Sequence, residues 1–89
     1  MARKGLSDTA TSLVVILNNI RDLASHSNRS DAFRVMKAFR VYARNKNFDI
    51  PEEKVTTFLE SIWDRRPNTM TSLVNEIAQD IIATDALKR

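Results

Sequence analysis

Apolar residues recur along this chain at the three-and-four spacing of an α-helix, in four runs separated by short polar breaks. Leu6, Ala10, Leu13, Val14, Leu17, Ile20 and Ala24 predict a first helix from about Ser7 to Ser25, with Ser7 as N-cap and Asp8 favoured in the first turn by the macrodipole. Val15 falls on its polar side, beside Asn18, Asn19 and Asp22. A polar linker, Ser25-His26-Ser27-Asn28-Arg29, leads to a second helix capped by Ser30 and running to about Arg44 or Asn45. Its apolar arc is Ala32, Val35, Met36, Phe39, Tyr42 and Ala43, and its opposite arc is Arg34, Lys37, Arg40 and Arg44. Residues Asn45 to Asn47 end it, because Asn tolerates the left-handed conformation of a helix C-terminus.

The third helix opens at Asp49-Ile50-Pro51-Glu52-Glu53, read as an Asp49 N-cap with Pro in the first turn. Its core face is Val55, Phe58, Leu59, Ile62 and Trp63, and Asp64-Arg65-Arg66-Pro67-Asn68 breaks it, since Pro67 disfavours helix at Arg66. A fourth helix, capped by Asn68 or Thr69, runs from about Thr69 to Leu87 on Met70, Leu73, Val74, Ile77, Ala78, Ile81 and Ile82. The pattern predicts an all-α fold, a compact four-helix domain with short connections that pairs as a homodimer. One helical domain spans residues 1–89, with residues 1–5 as a flexible N-terminus. The long first and fourth helices are expected at the centre, with the second lying across them, basic face outward.

Composition narrows the class. One Gly and two Pro are too few for the turns of an all-β fold, and 43% hydrophobic with 28% charged residues is a folding composition, not a disordered one. The absence of Cys excludes a disulfide scaffold, a thiolate metal site and a Cys nucleophile. The longest apolar run, Leu13 to Leu17, is too short for a membrane span or a signal peptide, so an intracellular protein is expected.

Charge gives the chain a direction. Residues 21–48 hold seven Lys or Arg and two acids, net +5, whereas residues 49–64 hold five acids and one Lys, net −4. A chain polarised in this way suits docking onto an anion or a complementary partner.

Enzyme chemistry finds few groups to work with. His26 is the one His and sits in a polar linker, where it reads as solvated; a metal site built on it has no second His or Cys. Gly5, the one Gly, cannot supply a phosphate-binding Gly-rich loop or a calcium loop. Glu53, Glu60 and Asp64 share a face of the third helix and read as a solvated acidic surface. The expectation is a protein that is not an enzyme and takes no cofactor and no metal.

The basic second helix is the strongest outward signal. Arg34, Lys37, Arg40 and Arg44 would contact phosphate, with Lys46, Arg29, Arg65 and Arg66 as flanks, and released counterions would supply the free energy. The competing bland reading is a solvated basic face neutralised by salt bridges to the third helix. Because Phe39, Tyr42 and Met36 are assigned to the core side, the helix predicts backbone or shape recognition without base stacking. A helix-turn-helix reader fits poorly: the turn lacks Gly, and Glu76 and Asp80 on the would-be recognition helix repel phosphate. The alternative function is a small adaptor or inhibitor docking on a larger protein. Trp63 would then be the anchor, although its phase also suits the core; Val15 and Ile82, each at the margin of its helix's apolar arc, would instead form a dimer seam. Insertion of the second helix into a membrane surface is disfavoured, because the core needs its apolar face. A short, basic, Cys-free chain of this kind suits a viral or phage regulatory protein. DNA and RNA, duplex and single strand, are equally compatible with the charge pattern.

Overall fold

A computed structural model describes residues 5–26 and 29–88, and among these the chain is four α-helices without strands. They are α1 (Asp8–Ser25), α2 (Arg29–Asn45), α3 (Glu52–Trp63) and α4 (Pro67–Leu87). Residues 1–4 of the expected N-terminal tail, and Ser27 and Asn28 of the first linker, lie outside the described residues.

Local chemistry accounts for most helix ends. The Ser7 hydroxyl accepts a hydrogen bond from the Ala10 backbone N–H at 3.2 Å, which caps α1 as the sequence predicts. α2 starts at Arg29, one residue before the expected cap, so Ser30 sits inside its first turn. At its other end Asn47 takes the left-handed conformation with φ 66°. The N–H of Asn47 donates to Arg44 O and that of Phe48 to Ala43 O, the paired bonds of a Schellman ending, and Phe48 turns inward.

The start of α3 differs from the sequence expectation. Asp49 is exposed and caps nothing, Pro51 occupies the cap position, and the helix begins at Glu52. Two forces set this: a residue before proline is held extended, and that residue, Ile50, is pulled into the core. α4 likewise starts at Pro67 and not at Thr69, because the fixed φ of proline suits a first helical position. Its cap residue, Arg66, has no side-chain acceptor to offer. Between the two helices Arg65 adopts φ 55°, and the N–H of Arg66 donates to Ser61 O, a second Schellman ending with arginine where glycine is usual.

The helices pack in a ring: α1 on α2, α2 on α3, α3 on α4, and α4 back on α1. α2 thus packs between α1 and α3, in place of the crossing over α1 and α4 expected from the length and aliphatic faces of those two helices. Ser7 opposite Asp85 makes α1 and α4 antiparallel, and Arg40 beside Glu52 with Arg29 beside Trp63 makes α2 and α3 antiparallel. The core is one cluster built from Leu13, Leu17 and Ile20 of α1, Met36 and Phe39 of α2, Phe58 and Ile62 of α3, and Val74, Ile77 and Ile81 of α4, closed by Phe48 and Ile50.

Polar ties brace this core. Asp85 is buried near the end of α4 and accepts hydrogen bonds from the Ser7 N–H at 3.0 Å and the Ser7 hydroxyl at 2.6 Å. Lys54 of α3 donates to Asp80 of α4 at 2.7 Å and lies 3.7 Å from Glu76. The hydrogen bond to Asp80 outweighs partial desolvation and, helped by both carboxylate charges, holds the Lys54 ammonium above its ordinary pKa.

Candidate nucleic-acid interface

The outward surface of α2 is a stripe one residue type richer than the sequence suggested. Arg34, Lys37, Val41 and Arg44 follow one another at i, i+3, i+7 and i+10, and all four are exposed. The stripe runs about 15 Å along the helix axis. Val41, 61% exposed, sits in the middle of the cations, an apolar contact point that the period-based reading left unassigned.

Arg40 departs from the expected line. Its side chain is only 28% accessible, its guanidinium lies 3.8 Å from Glu52, and its Nε is buried without a hydrogen-bond partner. The reason is angular: Arg40 is three residues from Lys37 but on the α3 side, so it fills the α2–α3 junction instead of facing outward. Tyr42 is the converse case. It was assigned to the core and stands exposed, with the Lys46 ammonium 5.7 Å from its ring centre.

Few acids neutralise this surface. Arg34 pairs with Asp31 of its own helix at 2.6 Å, an exposed pair of the kind worth little. Arg40 with Glu52 is the one ion pair between α2 and α3 among the described residues. Lys37, Arg44, Lys46, Arg65 and Arg66 take part in no ion pair among the described residues, and all five are exposed. Lys88 joins them from α4: its ammonium donates to Lys46 O at 2.9 Å and lies 3.9 Å from the Phe48 ring centre. A lysine 42 residues away in the chain carries no sequence signal of this contact.

The other end of α2 meets the α3–α4 turn. Trp63, whose phase had suggested the core, is 52% exposed. Its ring centre is 5.7 Å from that of Phe33, and the Arg29 guanidinium lies 5.5 Å from it. The Lys37 ammonium lies 5.3 Å from the Phe33 ring centre. The structure therefore joins Arg29 and Lys37 through two aromatic rings.

Val15 and Ile82 are not brought together. Val15 is exposed on α1 and Ile82 is half-buried on α4. With Ser7 opposite Asp85, the antiparallel register sets Val15 about level with Ile77, more than a helical turn from Ile82. Among the described residues no group of three or more His, Asp or Glu is placed to hold a metal ion, and no helix is long and apolar enough to cross a membrane.

No family model, no curated protein and no solved structure matches this chain.

Proposed function

We propose that this protein is a non-enzymatic nucleic-acid-binding protein that holds the phosphate backbone on the outward stripe of α2. The observation that carries the reading is the lack of neutralisation. A basic face kept only to balance the acidic α3 would spend its cations on Glu52, Glu53 and Glu60, yet Arg40 alone reaches an α3 acid among the described residues. Lys37 and Arg44 on α2 and Lys46 just past its end remain in solvent, with Val41 and Tyr42 as uncharged contacts between them. Arg34 contributes by exchanging Asp31 for phosphate, and Arg29, Arg65 and Arg66 extend the footprint around the α3–α4 turn. Such a ligand implies an intracellular location.

The experiment is a binding titration with labelled duplex DNA, duplex RNA and single strands at a series of salt concentrations. About four phosphate contacts give a log–log salt slope near −3 for a single strand and steeper for duplex DNA. The double variant Lys37→Glu with Arg44→Glu is expected to lose at least tenfold in affinity and to flatten the slope by about 1.5, with helical content unchanged. Absence of binding at low salt, or affinity indifferent to salt, overturns the reading. Arg40 is unsuitable for this test, because reversing its charge beside Glu52 perturbs the α2–α3 junction itself.

The second reading, an adaptor docking on a protein, has one observation in its favour: a half-exposed Trp63 next to Arg29.

A further inference from the structure

The aromatic residues of α2 and α3 divide into two sets. Phe39 and Phe58 are buried in the core. Phe33 and Trp63 lie outside it, packed on each other at 5.7 Å with their planes 58° apart, and flanked by Arg29 on the Trp63 side and Lys37 on the Phe33 side. Trp63 follows Ile62, the last core residue of α3, so it points about 100° away from the core and leaves its indole half in water. The result is a pair of adjacent rings with a cation against each.

Near Trp63 the ends of the four helices border a half-open cavity of about 320 Å³. Arg29, Arg65, Ala24, Ile62, Pro67 and Met70 line it. Its lining mixes apolar side chains with Ser25 and two arginines, and among the described residues no acid lines it. Neither arginine has an ion pair among the described residues. Arg65 reaches the cavity from a left-handed backbone position that glycine fills without strain, so the helix end by itself gives no reason for a long cationic side chain there.

We infer that this end of the bundle binds an unpaired nucleotide of a single strand, with the base against Trp63 and a phosphate held between Arg29 and Arg65. The inference rests on the nucleic-acid reading above and narrows it. A duplex keeps its bases stacked on one another and offers Trp63 only sugar and phosphate, whereas an unstacked base presents the π-face that a surface indole accepts. Cations on both flanks of the ring pair suit a polyanion better than an apolar protein patch, which needs a continuous apolar rim. Asp64, next in the chain to Trp63 and exposed, repels phosphate and so directs the backbone to the Arg29–Arg65 side. From there Lys37 leads to Arg44 and Lys46 along α2, so one strand can occupy both parts.

Anisotropy of a labelled oligothymidylate of about twelve nucleotides, against a duplex of equal length, tests this directly. The single strand is expected to bind at least about fivefold more tightly than the duplex and to quench the fluorescence of Trp63, the one tryptophan of the chain. Trp63→Ala is expected to lose at least about fivefold for the single strand while Trp63→Tyr retains most of it, and Arg65→Gly is expected to weaken binding without loss of fold. Equal or tighter duplex binding without quenching, and with Trp63→Ala unaffected, overturns the inference and leaves the α2 stripe reading standing. Failure of every nucleic acid at low salt overturns both. Quenching by polyglutamate under conditions where no nucleic acid binds overturns both in favour of an acidic protein partner.

Discussion

The two ends of the bundle are built on opposite principles. At the end where the described chain begins and stops, polar groups tie the helices together, even though Arg44 and Lys46 stay exposed there: Ser7 caps α1 and donates to buried Asp85, and the Lys88 ammonium is tied to Lys46 O beside Phe48. At the other end they are left available. Arg29 and Arg65 line a cavity that contains no acid, Arg66 and Trp63 are exposed, and Arg65 holds a backbone conformation suited to glycine. A small domain has little stability to spare, so the end that forgoes favourable pairing is where the proposed ligand would bind, apart from the ties that hold the fold.

Variants that break this division differ in size of effect. Ser7→Ala removes both the cap and a charge-assisted hydrogen bond to a buried carboxylate, at a cost of about 2–3 kcal/mol. Thermal unfolding should fall by about 10 °C or more, and oligonucleotide affinity measured well below the transition should not change. Reversing Lys37 and Arg44 does the opposite, costing at least about tenfold in affinity with little change in melting temperature.

How far the sequence carried is clearest at particular residues. The four helices were legible because Leu13, Leu17, Ile20 and their counterparts repeat at helical spacing, and the Ser7 cap follows from local chemistry alone. Phe48 and Ile50 were missed as core, because they lie in an extended link where the helical period does not apply. Asp85 resembles any polar position of α4; its role exists only once residues 78 apart in the chain meet. Arg40 and Tyr42 were misassigned in opposite senses, because a helical wheel gives angles but not which neighbour covers them. The assignment of α2 aromatics to the core held for Phe39 and failed for Tyr42. The Phe33–Trp63 pair, which the sequence did not connect, is the reason that stacking enters the account.

Smaller effects sharpen the comparison. Arg65→Gly relieves left-handed strain and should raise stability by about 0.5–1 kcal/mol, a gain of a few degrees on melting, while weakening binding. Stability without function at this position is the signature of a residue retained for its ligand. Alkaline titration probes the α3–α4 brace, which lies one turn into α3 near the first end. Lys54 has its pKa raised in the folded state, so its contribution is fully present below the ordinary value of 10.5 and is lost as pH rises through the raised value. Lys54→Met should be less stable than the parent at neutral pH and should approach it above pH 10.5, as followed by denaturant unfolding at both conditions.

The most direct measurement is the affinity of folded Trp63→Ala for a labelled single strand, taken beside its melting curve. The account predicts a melting temperature within a few degrees of the parent and a loss of at least about fivefold in affinity. A variant that melts far below the parent, or one that melts alike and binds alike, contradicts it.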